Sequence, residues 1–238
     1  IDNAKHISFD EFLNARKQKC KGSHDLNSKC NNCMPPLEVS YKMKKGCTNH
    51  LPYPEGMCTK CIPPGVTLGR QIYRHVDYVS FMNIEEVNSF VKQWQKDLCL
   101  KQRMAYLFGY FAEDPNYSHG IRAVVEALYE PPQIGDHHGV HALENPDAEI
   151  IDRIAAGLNL EFVGWIFTTI DTDKDTYMAS YDIKKAAEFQ EHYKLKHPSG
   201  YYVSKFITVM VKPNEDGNVE LKCCIISDTF QSLVRDNI

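Results

Sequence analysis

The 238-residue sequence predicts an α/β (α+β) fold in two parts: a small cysteine-rich module over residues 1–74 and a larger body over residues 75–238. Six of the nine cysteines lie between Cys20 and Cys61, which distinguishes the first part from the second. From His75 onwards, apolar runs of strand length are mixed with stretches whose apolar residues recur at helical spacing. Because the two kinds of stretch do not strictly alternate, we expect a mixed sheet with flanking helices.

Ahead of the cysteines, Ser8 followed by Glu11 has the spacing of a capping box and predicts a short helix. Residues 75–82 alternate as a strand does, and Asn83 is placed to cap the helix that follows. The expected apolar face of that helix consists of Val87, Phe90, Val91 and Trp94.

The next elements are an antiparallel pair of strands and a second helix of the body. Apolar runs at 106–112 and 121–129 flank a turn and predict the pair. Pro146 is expected at the first position of the helix, and Gly157 lies where the helix should stop. Its buried face should contain Ile150, Ile151 and Ile154.

The last third of the chain predicts strands around two further helices. Residues 160–170 indicate a buried strand, and Ser180 is a candidate cap for the helix that follows. Runs at 201–211 and 219–227 flank an Asp-Gly turn and predict a hairpin. Ser227 and Asp228 are expected to open a final helix over residues 229–235.

The cysteine-rich module contains two sets of residues at the spacing of zinc ligands. They are Cys20, His24, Cys30 and Cys33, then Cys47, His50, Cys58 and Cys61. Each set offers three sulfurs and one imidazole, which form a closed tetrahedral shell around zinc and leave no position for a substrate. We therefore expect two structural zinc ions. Disulfides or scattered buried thiols are the alternatives; spacing leaves sequential or interleaved pairing open, and the short intervals favour the sequential one.

Composition and charge restrict the class of protein. With 43% hydrophobic and 24% charged residues, and no apolar run of about 18, the sequence resembles a globular protein that does not insert into a membrane. Thiols outside the zinc pattern, at Cys99, Cys223 and Cys224, indicate a reducing compartment, the cytosol or nucleus. Residues 1–75 carry 12 Lys/Arg against 6 Asp/Glu, but no nucleic-acid recognition motif accompanies this basic excess. A solvated face, or one that docks on an acidic protein, explains it better than nucleic-acid binding.

Two polar runs resemble metal sites only in part. The run 136–141, with three histidines and Glu144 beyond it, could bind a metal, although Gly139 breaks the helical pairing of the histidines. The run 171–175 begins like a calcium loop with Asp182 at its twelfth position, but Thr176 replaces the glycine that such loops require. An exposed loop and an acidic turn are the simpler interpretations.

The run Gly164–Thr169, after Met104–Gly109 and before Ser180–Asp182, resembles the MPN fold of metal-dependent deubiquitinases. In those enzymes two His and an Asp hold a catalytic zinc, and a Glu deprotonates its water. The positions of the Glu, the two His and the Asp correspond here to Gln102, Phe167, Thr169 and Asp182. A lone carboxylate cannot hold the metal and Gln102 cannot accept the proton, so we expect no catalytic residues and an inactive body.

Longer stretches resemble one family, the nuclear protein localization-four family, over essentially the whole chain. They are Cys30–Pro36, His50–Pro54, Gly56–Cys61, Arg74–Val79 and Val125–Gln133. Members of this family are longer, so the sequence resembles their central piece, and the MPN-like body is expected to be truncated at its C-terminal side.

The resemblance implies a substrate adaptor of the hexameric AAA ATPase valosin-containing protein. Its partner would be the ubiquitin-fusion-degradation protein one, and its cargo polyubiquitinated proteins, including those of endoplasmic-reticulum-associated degradation. The zinc module would dock on the ATPase ring, and the body would bind folded or unfolded ubiquitin. The implied location is cytoplasm and nucleus, with peripheral association at the endoplasmic reticulum and nuclear envelope. A metal-dependent deubiquitinase and a zinc-dependent nucleic-acid binder are the alternatives.

Overall fold

The computed structural model describes residues 6–22, 30, 33–45, 47–67, 69–170, 178–214 and 216–238. Helices in this part of the chain are α1 (Phe9–Lys19), α2 (Ile84–Lys96), α3 (Ala148–Gly157), α4 (Ser180–His192) and α5 (Asp228–Asp236). The strands are β1 (Ile7–Ser8), β2 (Tyr73–Arg74), β3 (Tyr78–Phe81), β4 (Met104–Asp114), β5 (Gly120–Tyr129), β6 (Gln133–Gly135), β7 (Val140–Ala142), β8 (Glu161–Thr168), β9 (Lys194–Lys196), β10 (Tyr202–Ser204), β11 (Ile207–Pro213) and β12 (Val219–Cys224). The mixed α/β class is confirmed.

A six-stranded mixed sheet organises the body in the order β12-β11-β8-β4-β5-β3. The pairs β11–β8 and β3–β5 are parallel and the other neighbours are antiparallel. The predicted pair at 106–112 and 121–129 corresponds to β4 and β5, and the predicted hairpin to β11 and β12. At Gly164 a Cβ atom would lie 2.3 Å from the carbonyl oxygen of Ile207, so this position on β8 accepts only glycine beside β11.

Helices cover both faces of the sheet. On one face, α2 buries Val87, Phe90 and Trp94, as its periodicity predicts, against residues that include Leu107 and Val209. On the other face, α4 packs Ala186 against a cluster that includes Trp165, Phe167 and Met210. The indole nitrogen of Trp165 donates a hydrogen bond to Thr208 Oγ1 over 3.0 Å, so this buried polar atom is satisfied.

Helix α3 departs from the sequence prediction. It begins at Ala148, not at Pro146, although it ends at Gly157 as expected. The prediction that Ile150 and Ile154 are buried is wrong: their exposed fractions are 46% and 55%, and Ala155 is the buried residue of this helix. Amphipathic periodicity therefore identified the apolar face correctly but not the direction in which it points.

Two of the four predicted helix caps form in the structure and two do not. Ser8 and Ser227 accept hydrogen bonds from the backbone N–H groups three residues on, which is the predicted capping geometry. Asn83 precedes α2, but its side chain donates to Glu86 Oε1 and does not cap the backbone. Ser180 is the first helical residue of α4, because Ala179 occupies the cap position.

The amino-terminal segment packs on the body and not only on the cysteine-rich module. Phe9 and Phe12 of α1 share an apolar cluster with Tyr73 and with Val203 of β10. Farther along, the Tyr201 hydroxyl donates to the carbonyl of Pro35 over 2.7 Å. These contacts join residues on both sides of the predicted boundary at residue 74, which itself stays a prediction.

Candidate metal centres and the MPN-like pocket

The second predicted ligand set is brought together by the fold. The ligand atoms of Cys47, His50, Cys58 and Cys61 all lie within 4.8 Å of one another. Cys47 Sγ is 3.6 Å from Cys58 Sγ, and His50 Nε2 is 3.0 Å from Cys61 Sγ. Sulfurs bound to one zinc at ~2.3 Å lie ~3.8 Å apart, so this cluster has the dimensions of a tetrahedral zinc site.

Local backbone contacts prepare this cluster for a metal. The Nδ1–H of His50 donates to the carbonyl of Leu51 over 2.6 Å, which leaves Nε2 as the ligand atom facing the sulfurs. A tight turn brings the N–H of Cys61 within 3.1 Å of the carbonyl of Cys58. The backbone N–H of Lys60 lowers the pKa of the Cys58 thiol to about 7, which favours the thiolate that zinc requires.

The first predicted set is brought together in the part that the structure describes. The sulfurs of Cys20, Cys30 and Cys33 lie within 4.8 Å of one another, with Cys20 and Cys30 at 3.6 Å. The predicted fourth ligand, His24, lies outside the described residues. Helix α1 ends at Lys19, and the N–H of the C-cap residue Cys20 donates to the carbonyl of Lys17, so the helix positions the first candidate ligand. The seven candidate ligands that the structure describes group sequentially, not interleaved.

The four positions that correspond to MPN catalytic residues are all buried. Phe167 is fully buried and stacks on Trp165 with ring centroids 4.7 Å apart, so it is a core side chain. The N–H of Thr169 donates to the carbonyl of Val211 over 2.9 Å. The side chain of Gln102 approaches the carbonyl of His137 at 3.5 Å, and Asp182 lies in the first turn of α4.

Lys185 lies beside these buried positions, and sequence reasoning missed it. Its ammonium donates to the carbonyl of Val140 over 2.7 Å and lies 5.3 Å from the centre of the Trp165 ring. Burial lowers the pKa of this amine, while the charge of Asp182 one turn earlier opposes the shift. The spacing of Asp182 and Lys185 on one helix face was the available signal.

Hydrogen bonds within the histidine loop at 136–141, and from it to α4, give some of its polar residues a structural role. The Asp136 carboxylate accepts from the N–H groups of His138 and Gly139, and these contacts hold its pKa below the ordinary value. His141 Nδ1 lies 3.0 Å from the Tyr181 hydroxyl on α4. Among the described residues, the groups of three or more possible ligands are the two cysteine clusters. The calcium-like run at 171–175 lies outside the described residues.

Comparison with known proteins identifies the family. A model described as the NPL4 family matches residues 103–238, and one described as the NPL4 family, putative zinc binding region, matches residues 2–97. The Nuclear protein localization protein 4 homolog of Homo sapiens is 39% identical over 253 residues, covering 98% of this chain and 39% of that protein. The Saccharomyces cerevisiae Nuclear protein localization protein 4 is 31% identical, covering 97% of this chain and 42% of that protein.

This chain belongs to the NPL4 family. It spans about two-fifths of the length of the curated relatives it matches. The resemblance inferred from the cysteine and proline stretches is therefore confirmed. The amino-terminal part of the chain is a zinc-binding region of this family with two Cys/His clusters. None of the described helices is both long and apolar enough to span a bilayer.

The zinc-binding region of this NPL4-family chain exposes large apolar side chains around its second cluster. Leu51, Tyr53 and Met57 have exposed fractions of 68%, 62% and 51%. All three lie between ligands of the second set, with Lys60 exposed beside them. Exposed apolar side chains that a small metal-held loop presents together are typical of a protein-docking surface.

Proposed function

We propose that this chain is the part of a non-enzymatic adaptor that delivers ubiquitinated substrates to a hexameric AAA ATPase of the valosin-containing-protein type. Its partner is the ubiquitin-fusion-degradation protein one, and the cargo is polyubiquitinated protein, with ubiquitin folded or unfolded, destined for extraction and proteasomal degradation. Degradation of endoplasmic-reticulum proteins is included. The working location is cytoplasm and nucleus, with peripheral association at the endoplasmic reticulum and nuclear envelope. No nucleic acid and no direct membrane insertion are required.

One observation carries the proposal: the residues suited to hold zinc lie in the amino-terminal module, whereas the MPN-like body has buried side chains at the ligand positions. Phe167 offers no ligand atom and is packed on Trp165, and Thr169 replaces the second imidazole. A catalytic zinc needs three protein ligands and an open site for water. A body of this kind binds ubiquitin without cleaving it.

The donor sets of the module fit two structural zinc ions. Cys47, His50, Cys58 and Cys61 form the second site, and Cys20, Cys30 and Cys33 with His24 form the first. A bound zinc would fix loops that have little regular secondary structure of their own. The module would then present a stiff surface on which Leu51, Tyr53 and Met57 are exposed. Docking on the ATPase ring costs little conformational entropy for a surface that is already ordered.

The exposed face of α3 supports the ubiquitin-binding part of the proposal. Ile150, Ile154 and Leu158 follow each other at intervals of four residues, and all three are exposed. One turn separates each from the next, with Leu158 at the C-cap just after α3, so they form a single apolar stripe. We assign this stripe to ubiquitin, because a stripe on a short helix suits a folded partner with an apolar patch of its own.

The test combines three measurements on the zinc-loaded chain. Zinc counted by mass spectrometry should be two per chain. The hexameric ATPase should be captured by the immobilised chain, and a chelator should abolish capture. Incubation with polyubiquitin should leave the chains intact. Cleavage that a chelator abolishes would contradict the adaptor and favour the deubiquitinase, whereas salt-sensitive RNA or DNA binding stronger than ATPase binding would favour the nucleic-acid binder.

A further inference from the structure

A small cavity lies where the strand that leaves the zinc-binding region meets the body, and we call it the junction cavity. Phe9 of α1, Arg74 of β2, Ile121 of β5 and Val203 of β10 are among its lining residues. Its volume is about 10 Å³. A cavity needs roughly 10–15 Å³ of such volume to hold one water molecule. The junction cavity therefore has room for a single ligand of about the size of water.

Three side chains that line this cavity each have a buried polar atom without a hydrogen-bond partner among the described residues. The three atoms are Arg74 Nε, His75 Nδ1 and Asp77 Oδ1. His75 and Asp77 are only 2% and 6% exposed, so bulk solvent does not satisfy them. An unsatisfied buried polar atom costs free energy, and native folds contain few of them. Three such atoms on the wall of one cavity indicate a ligand that they share.

His75 contributes an acceptor to the cavity. Its Nε2 lies 3.0 and 3.2 Å from the two carboxylate oxygens of Asp228. Because a carboxylate accepts hydrogen bonds and does not donate them, the proton of His75 belongs on Nε2. In the neutral imidazole, Nδ1 then has a lone pair and no proton.

Asp77 contributes a second acceptor, and Arg74 contributes a donor. Asp77 Oδ2 already accepts from the N–H of Ile121 over 3.0 Å, so Oδ1 is the oxygen that still needs a donor. Burial raises the pKa of Asp77, whereas the Ile121 N–H and the Arg74 guanidinium lower it. The guanidinium and the carboxylate therefore attract each other across the cavity, although Arg74 Nε and Asp77 Oδ1 make no direct hydrogen bond.

This set of atoms selects the ligand. Two acceptors and one donor are complemented by a molecule with two donors and one acceptor, which describes water. A halide has no proton to donate to His75 or Asp77. A metal cation cannot accept from Arg74, and among the residues that the structure describes the groups of three or more possible metal ligands are the two cysteine clusters.

We propose that the junction cavity binds one water molecule, which donates to His75 Nδ1 and Asp77 Oδ1 and accepts from Arg74 Nε. This water bridges the guanidinium and the carboxylate and holds His75 in the tautomer that donates to Asp228. A continuous hydrogen-bonded network then joins β2, which leaves the zinc-binding region, to β5 and α5. The site goes beyond the adaptor function proposed above and does not depend on it.

A high-resolution crystal structure of the zinc-loaded chain tests the site directly. One density peak should lie in the cavity, about 2.7–3.2 Å from each of the three atoms. Crystals soaked in sodium bromide should give no anomalous bromide signal at this position, and data collected at the zinc absorption edge should give none either. A bromide or zinc peak in the cavity would assign the site to an ion and overturn the proposal.

Nuclear magnetic resonance of the zinc-loaded chain, labelled with ¹⁵N-histidine, tests the site in solution. Long-range correlations should place the His75 proton on Nε2 and leave Nδ1 bare, and the Hε1 proton of the ring should give a cross-peak to water. Tyr73→Phe removes the nearby hydroxyl that also contacts Asp228. The water cross-peak should persist in this variant, because it does not arise by relay through that hydroxyl.

Filling the cavity should expel the water. Val203→Ile adds one methylene to the cavity wall, so the cross-peak to water should disappear and the Nδ1 resonance of His75 should shift. Val209→Ile is the matched control, because Val209 is also a buried valine but does not line this cavity. It should keep the cross-peak and the resonance. The circular dichroism spectrum and the zinc content should be retained in both variants.

Three further results would overturn the proposal. They are a direct hydrogen bond between Arg74 Nε and Asp77 Oδ1 with no density between them, a proton on His75 Nδ1, and a water cross-peak that survives Val203→Ile as it does Val209→Ile. The crystal and the unsubstituted protein decide the first two even if Val203→Ile fails to fold. None of these measurements involves the ATPase or ubiquitin, so this proposal and the adaptor function can fail separately.

Discussion

The Tyr73 hydroxyl donates a hydrogen bond to Asp228 Oδ2 over 2.7 Å, and this contact joins the strand that leaves the zinc-binding region to the last helix of the body. His75 Nε2 lies 3.0 Å from the other carboxylate oxygen of Asp228. Both partners and the carboxylate are buried. Each half of the structure therefore supplies groups that the other needs for satisfied hydrogen bonds.

Replacing Tyr73 by Phe should remove this contact without changing the ring. Because Asp228 would lose one of its buried donors, we expect the free energy of unfolding to fall by about 1–3 kcal/mol. Urea denaturation of the zinc-loaded chain measures the change. Tyr53→Phe is the matched control, since Tyr53 is exposed and should give a change within about 0.5 kcal/mol. Equal effects of the two variants would contradict the assigned role of Tyr73.

Asp236 should make the stability of the same interface depend on pH. The Arg235 guanidinium, helped by the N–H of Tyr41 at 2.6 Å, holds the pKa of Asp236 below its ordinary value. A carboxylate with a depressed folded-state pKa stabilises the fold above its unfolded pKa of about 4 and loses that contribution as the pH falls through the folded value.

Asp236→Asn should therefore be less stable than the parent by about 1–3 kcal/mol at neutral pH, and the gap should close below about pH 4. Urea midpoints of both proteins across the acid range provide the measurement. Asp216→Asn in the exposed β11–β12 turn is the control and should show no gap at any pH. A gap that persists in acid would mean that the amide disturbs packing and that charge is not the cause.

Cys33→Ser should release the zinc of the first cluster and leave the second one loaded. Zinc measured by mass spectrometry should fall by one ion per chain, and ATPase capture should weaken while polyubiquitin binding by the body is retained. Cys99→Ser removes a thiol outside both clusters and should change neither quantity. If Cys33→Ser abolished both binding activities equally, the module and the body would not act independently.

Phe167→His places the imidazole of an active MPN enzyme in the position where this chain has a fully buried phenyl ring. The change removes the stacking on Trp165 and buries two ring nitrogens for which no hydrogen-bond partner is in place. We therefore expect the free energy of unfolding to fall by about 2–4 kcal/mol. Thermal or urea unfolding measures it, with Tyr110→His on the exposed side of β4 as the control. Restored stability on addition of zinc would show instead that the pocket can still take a metal.

Ile154→Ser should reduce ubiquitin binding with little effect on the fold. Because the side chain of Ile154 is more than half exposed, its loss should change stability by no more than about 0.5 kcal/mol. Affinity for polyubiquitin should fall about five- to tenfold if this residue lies at the centre of the contact. Leu195→Ser on β9, exposed to a similar degree, should leave the affinity unchanged. The reverse order of effects would move the ubiquitin site away from α3.

Features specified by neighbouring residues could be read from the sequence. The cysteine turns, the Ser8 and Ser227 caps and the β11–β12 hairpin depend on contacts between residues close in the chain. The face of α2 was also predicted correctly, because Trp94 and Phe90 had a sheet to pack on. Local patterns of this kind fix both the element and its geometry.

Features that depend on contacts between residues far apart in the sequence could not be predicted in the same way. The periodicity of α3 shows that Ile150 and Ile154 share a face, but it does not show whether another element covers that face. The position of Lys185 over Trp165 likewise depends on a strand far away in sequence. Charge and spacing identify such residues only once the sheet order is known.

Pairing of Ile7 with Tyr73 in β1 and β2 has a consequence for how the chain could be cut and rejoined. The two strands are parallel, so the ends of the cysteine-rich module lie side by side although they are far apart in the sequence. Both ends of the module are also fixed to the body through α1 and Tyr73. A single proteolytic cut in the loops between these ends should therefore release neither fragment while the protein stays folded.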